Sequence, residues 1–243
     1  DLGLYRIKSV GNKATESTMA YLEKKSKQVN VKLTYFKKEL KILWRNQAFF
    51  MNCVIINALW PIIMILVVVF GQNSSFIKGL MDLYNKGYLI VHIGVMVAVL
   101  AAAILITGVN SIASSAFTRE GAHLEFMKYI PLSYKTQINI KALLSIVFSY
   151  ASVFISVICV CIVIKTDVFL TIYFVLLSLL GVVFITYLGI MLDSMHPKLL
   201  WDDELSALRG NLNVFFNMAF AILAGIVLIL IGCGLYFVRD FWK

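Results

Sequence analysis

Five long runs of apolar residues constrain this 243-residue chain more than any other feature of its sequence. Each run holds about 20 mainly apolar residues, the length that an α-helix needs to cross a bilayer. The runs are continuously apolar, whereas the strands of a membrane barrel alternate over about ten residues. The sequence therefore predicts an all-α, polytopic membrane protein with transmembrane helices at about 50–70, 89–109, 142–164, 168–192 and 214–238.

Composition and charge placement exclude an ordinary soluble domain and a nucleic-acid-binding protein. Hydrophobic residues make up 60% of the chain and charged residues 14%, against about 45–50% and 25% in soluble domains. The net charge is +9, but seventeen of the 22 Lys and Arg residues lie in 1–49, 110–141 and 193–213. Because loops rich in Lys and Arg stay on the cytoplasmic side, we expect a multi-pass protein of the cell membrane with a cytoplasmic N-terminus.

The N-terminal region changes character near residue 30. Residues 1–30 are polar and predict a linker or tail, whereas 31–49 are amphipathic, with lysines largely off the apolar face. This pattern predicts a helix lying in the membrane interface, followed by a permease-like transmembrane domain over 50–243. The alternative is a solvated extension of the first span. The predicted apolar face consists of Val31, Tyr35, Leu40, Leu43 and Trp44.

Two loops on the predicted cytoplasmic side are long enough to carry structure. In 110–141, no proline interrupts Ser114 to Tyr129, and Pro131 ends any helix near Ile130. We expect a short amphipathic helix, a break and a second helix leading into the third span. An isolated helix of this kind needs lipid or a partner protein to cover its apolar side. In 193–213, Asp202 or Asp203 is expected to cap a short helix.

Polar residues within the spans predict helix packing, with a transport pathway as the alternative. Pro61 removes a backbone donor, so the carbonyl of Asn57 loses its usual partner and the first span is expected to kink. Four serines share one face of the third span. The complete set is Asn57, Pro61, Ser145, Ser149, Ser152 and Ser156.

Motifs of catalysis and cofactor binding are missing from the sequence. It has no GxxxxGK[ST] phosphate loop, no HExxH and no GxSxG, and its four cysteines are not spaced as zinc ligands. We therefore predict no catalytic residue, cofactor or metal site. Transport or scaffolding is the plain interpretation.

Two loop stretches carry a family resemblance. The sequence SSAFTREG at 114–121 is followed by FMKYIPLS at 126–133 and by Lys141, and HPKLLWDDE occupies 196–204. These stretches resemble the patterns S-x-x-x-R-E-G, K-x-x-P-[LIV]-S and P-K-L-x-W-[DN] of bacterial ABC-2-type exporter permeases. The KELK sequence at 38–41, with the residues up to Pro61, is similar to the entry of such a permease half.

The resemblance implies a six-span permease half, here the later half of a longer chain without its last span. It also implies a separate P-loop ATPase and a second permease half or another copy as partners, within the lipid bilayer. In this family, the loop between the second and third spans docks on the ATPase. The matching residues are Arg119, Glu120, Gly121, Phe126 and Lys128. The second loop, with Pro197, Lys198, Trp201 and Asp202, is either a structural turn or a second contact.

The function expected from this resemblance is that of a permease subunit of an ATP-binding-cassette exporter. The chain itself would not be an enzyme, since ATP hydrolysis falls to the partner. One alternative is a non-transport membrane scaffold or sensor. A second is a membrane-embedded lipid-modifying enzyme, for which Asp193, His196 and 202–204 supply the interfacial polar groups. A secondary transporter is disfavoured, because the spans have no acidic or basic residue near their centres.

Overall fold

A computed structural model describes residues 30–71 and 74–241, and all its regular elements in these ranges are helices. Within these ranges, five helices are long and apolar enough to cross a membrane. The chain is therefore an all-α, multi-pass membrane protein, as predicted. The polar stretch interpreted as a linker lies, except for Asn30, outside the described residues.

The described residues form eight α-helices of five residues or more, and five of these (α2, α4, α5, α6 and α8) are the candidate spans. A single α-helical turn at Ser111–Ser114 and a 3-10 helix at Thr118–Tyr129 lie between α4 and α5. A π-helical turn at Phe50–Ile55 lies within α2. The helices are α1 (Val31–Arg45), α2 (Gln47–Gly71), α3 (Ser75–Asn85), α4 (Leu89–Val109), α5 (Tyr134–Ile164), α6 (Val168–Met195), α7 (Glu204–Leu208) and α8 (Leu212–Phe241).

The spans pack in a connected bundle, in which α4 contacts α6 and α8, and α5 contacts α2 and α6. Small residues bring α4 and α8 close together. A Cβ atom added at Gly108 would overlap the side chain of Ala221, which is itself buried. Close approach of this kind is how helices associate in lipid, where burying apolar surface gives little gain.

The third span begins earlier than the apolar run predicted. Helix α5 starts at Tyr134, directly after Ser133, whose hydroxyl accepts a hydrogen bond from the Thr136 amide at 3.3 Å. Its first two turns include Gln137 and Lys141, both buried. The predicted start of this span, at about residue 142, was based on hydropathy. It missed the first turns of α5 because these contain polar residues.

Some polar residues of the spans hydrogen-bond to a neighbouring helix, whereas the Ser156 hydroxyl bonds within its own helix. The Ser152 hydroxyl donates to the Asn57 carbonyl at 2.7 Å, so α5 supplies the partner that Pro61 withholds within α2. One turn away, the Ser149 hydroxyl accepts from the Asn110 amide at 2.9 Å. Both serines are buried, as are Ser145 and Ser156.

The α1 helix packs against the protein through a narrow stripe. Tyr35, Glu39 and Leu43 are buried, whereas Val31 and Trp44 are exposed. The predicted apolar face is therefore divided, with part of it covered by the chain itself. Contacts of α1 with α5 position Glu39 at the site described next.

Candidate functional site at the loop junction

The segment Thr118–Tyr129 between α4 and α5 is not the regular amphipathic helix that the sequence predicted. It consists of 3-10 helical turns, and the chain breaks direction at Gly121, with φ 54° and ψ −135°. Only glycine adopts this backbone conformation readily. A Cβ atom at Gly121 would also lie 2.8 Å from the indole of Trp201. We call this segment, together with the side chains that hold it, the loop junction.

An ion cluster, buried except for the partly exposed Lys38, holds the first turn of the loop junction to α1 and α5. The Lys141 ammonium donates to Glu39 Oε1 and to Glu120 Oε1, both at 2.8 Å, and to the Ala116 carbonyl at 3.0 Å. Lys38 donates to the two carboxylate oxygens of Glu120 at 2.6 and 2.8 Å. The ion cluster is thus Lys38, Glu39, Glu120 and Lys141.

The charges of the ion cluster balance, two positive against two negative. Burial by itself would raise the pKa of Glu120, but the neighbouring ammonium groups of Lys141 and Lys38 outweigh it and lower the pKa to about 2. The pKa of Tyr35 is raised, first by burial and then by the carboxylates of Glu39 and Glu120. A buried charge is tolerated when it is paired and hydrogen-bonded in this way.

A second anchor comes from Asp193 near the end of α6. Its fully buried carboxylate accepts from the backbone amides of Phe117 and Thr118 at 2.6 and 3.0 Å, and from the Thr118 hydroxyl at 2.6 Å. The side-chain amide of Asn213 at the start of α8 donates to the same carboxylate at 3.0 Å. Asp193 therefore ties α6 and α8 to the loop junction, and its oxygens are occupied by structural bonds.

The stretch from Pro197 to Asp202 packs against the same turn of the loop junction, at Thr118. The Lys198 amide donates to the Thr118 hydroxyl oxygen at 3.1 Å, and the Trp201 indole N–H donates to the Thr118 carbonyl at 3.0 Å. The Lys198 ammonium donates to the Ser206 carbonyl of α7 at 2.7 Å. Asp202 is exposed. The sequence left a structural turn and a second partner contact open for this stretch; in the structure it packs against the loop between α4 and α5.

The five residues carried over as ATPase contacts divide into two groups. Arg119 is 5% exposed and donates to the Ile112 carbonyl at 2.7 Å and the Ser115 hydroxyl at 2.8 Å. Glu120 and Gly121 are also buried. Phe126 and Lys128 are exposed. The first group thus positions the segment from inside, and only the second group is available at the surface.

An exposed aromatic face lies on the outer side of the loop junction. Because a 3-10 helix has three residues per turn, residues three apart fall on the same side. His123, Phe126 and Tyr129 follow this spacing, with ring centroids 5.7 and 6.4 Å apart. Phe126 is 61% exposed and Tyr129 81%. Sequence reasoning missed Tyr129 because it assumed α-helical periodicity; a spacing of three was the available signal.

Within residues 30–71 and 74–241, no group of three or more His, Cys, Asp and Glu residues comes together to hold a metal ion. No family model, no curated protein and no solved structure matches this chain.

Proposed function

We propose that this chain is the membrane-spanning permease subunit of an ATP-binding-cassette exporter, driven by a separate P-loop ATPase that docks on the aromatic face. One observation carries the proposal. The three stretches that resemble ABC-2 permeases lie about 80 residues apart along the sequence and meet at the loop junction. Glu39 reaches it through Lys141, and Trp201 reaches it through Thr118.

The aromatic face has the chemistry of a protein docking surface. Large exposed rings such as Phe126 and Tyr129 bury much apolar area at a small entropic cost, and aromatic residues are enriched among binding hot spots. An ion pair between Lys128 and Glu125 at 3.7 Å lies beside them in solvent. Because this ion pair is exposed at the edge of the aromatic face, it contributes more to the specificity of docking than to its affinity.

The anchoring of the loop junction suits it to transmit force. A displacement of the aromatic face passes to α1 and α5 through the ion cluster, and to α6 and α8 through Asp193. ATP binding on the partner would favour one arrangement of these helices, and hydrolysis would release it. In this proposal the loop junction faces the cytoplasm, and the substrate passes between this chain and a second permease half or copy.

The test is association with an ATPase. The full-length protein in nanodiscs is mixed with a candidate P-loop ATPase, chosen from the genes that neighbour its own, and affinity and ATP turnover are measured. We expect Phe126→Ala and Tyr129→Ala each to weaken association by about 2 kcal/mol, roughly thirtyfold in Kd. The matched control is Tyr88→Ala, which removes another exposed tyrosine at the opposite end of α4.

The outcomes separate the proposal from its alternatives. Loss of association in Y129A with retention in Y88A supports docking at the aromatic face. A protein that binds no ATPase, or whose activity does not depend on ATP, contradicts the proposal and favours one of the alternatives, such as a scaffold or sensor. Equal weakening by both tyrosine variants contradicts docking at this face.

A further inference from the structure

The outer side of α1 forms a basic groove with a volume of about 570 Å³. Its cations Lys37, Lys41 and Arg45 recur every four residues and therefore share one side of the helix. The buried stripe of Tyr35, Glu39 and Leu43 lies on the opposite side. The groove's polar and charged lining consists of Thr34, Lys37, Lys38, Lys41, Arg45 and Asn46.

The charge of this groove is not neutralised by its own helix. Glu39 is the single acidic residue of α1, and it faces inward to Lys141. Lys37, Lys41 and Arg45 are exposed, and no ion pair joins them to another group in the described part of the chain. The groove thus presents several hydrogen-bond donors and a concentrated positive charge to a multivalent anion.

The groove lies next to the start of the first spanning helix, which favours a position near the lipid headgroups. One extended residue, Asn46, separates the end of α1 from the first residue of the spanning helix α2. At 1.5 Å per residue, Lys37 is roughly 12 Å along the helix from Arg45. Trp44 packs on Phe50 with ring centroids 5.0 Å apart, and Trp side chains are enriched at the boundary between headgroups and acyl chains.

We propose that this groove binds the phosphate of an anionic lipid headgroup in the leaflet that contains α1. The lysines and Arg45 contact the phosphate, while the exposed side chains of Leu33 and Trp44 lie against the acyl region. This site does not depend on the proposed transport function, since it requires only that α2 spans the bilayer.

The experiment is native mass spectrometry of the full chain in detergent, titrated with phosphatidylglycerol, with phosphatidylcholine or with inorganic phosphate. We expect phosphatidylglycerol to bind most tightly. The double variant K37Q/K41Q should weaken its binding roughly 25-fold, from about fivefold per lysine at a membrane surface. The control K32Q/K135Q removes two exposed lysines outside the groove and should bind as the wild type does.

Three results would overturn the proposal. One is equal loss in both double variants, which would indicate diffuse attraction to the whole basic surface. Another is wild-type affinity for phosphatidylglycerol in K37Q/K41Q. The third is inorganic phosphate binding as tightly as the lipid, which would identify an ion site in place of a lipid site. Because the four lysines are exposed, unchanged melting temperatures confirm that the variants remain folded.

Discussion

Replacing Lys141 by methionine is the sharpest test of the buried ion cluster. The change keeps the length and much of the volume of the side chain but removes its charge, its two carboxylate contacts and its bond to the Ala116 carbonyl. Glu39, almost fully buried, then keeps only Lys38 at 3.4 Å as an ionic partner. Breaking a buried pair from one side typically destabilises a protein by about 3–5 kcal/mol.

The lowered pKa of Glu120 gives a second magnitude. A pKa of about 2, against the ordinary 4.5, means that the folded protein favours the carboxylate. At 1.36 kcal/mol per pKa unit, this preference amounts to about 3 kcal/mol, shared between Lys141 and Lys38. Both lines of reasoning therefore predict that K141M lowers the free energy of unfolding by several kcal/mol.

The assay is reversible unfolding in mixed micelles, titrated with SDS and followed by far-UV circular dichroism. Adding E39Q to K141M should recover about 1–2 kcal/mol, because the remaining charges, Lys38 and Glu120, still pair. The control is Lys135→Met, which removes an exposed lysine two turns earlier on α5 and should cause no resolvable change. Equal stabilities of K141M and K135M, or no recovery in the double variant, would refute the reasoning.

Three further predictions test other parts of the structure. Since the pKa of Glu120 is lowered, the ionised Glu120 carboxylate contributes its full stabilisation above about pH 5 and loses it as the pH falls toward about 2. In E120Q, the free energy of unfolding should therefore change by about 3 kcal/mol less over this pH range than in the wild type. Ser152→Ala orphans the carbonyl freed by the proline of α2 and should destabilise the bundle by about 1 kcal/mol, measured by SDS unfolding. Ser156→Ala, which loses only a bond within its own helix, should lose less. Gly121→Ala, at positive φ, should lower the melting temperature by several degrees, equivalent to about 1–3 kcal/mol of strain, whereas Gly79→Ala, with open space around it, should not.

The bundle could be predicted because lipid imposes a simple rule on the sequence. A spanning segment must be long and apolar, so five runs were sufficient to predict five helices. The freed carbonyl of Asn57 was also predictable, since proline always removes one donor. Its partner Ser152 was not, because a hydrogen bond over 95 residues leaves no local pattern.

The ion cluster could not be predicted from the sequence for a similar reason. Charged residues are rarely buried, so Arg119 and Glu120 were expected on an exposed polar face. The burial of Glu120 depends on Lys38 and Lys141, which lie in different helices. Arg119 is instead held by the Ile112 carbonyl and the Ser115 hydroxyl. Helical periodicity also misled the interpretation of Thr118–Tyr129, because the break at Gly121 and the tighter 3-10 turns change which side chains share a face.

The residues of the ion cluster lie far apart along the chain, and this separation sets the order in which their contacts can form during synthesis. Glu39 is synthesised 102 residues before Lys141. At a translation rate of about 5–20 residues per second, the interval is roughly 5–20 s. During that time α1 has no partner on α5. Docking of the N-terminal helix therefore follows synthesis of the first turns of the third span, and this sets the earliest point at which the complete ion cluster can form.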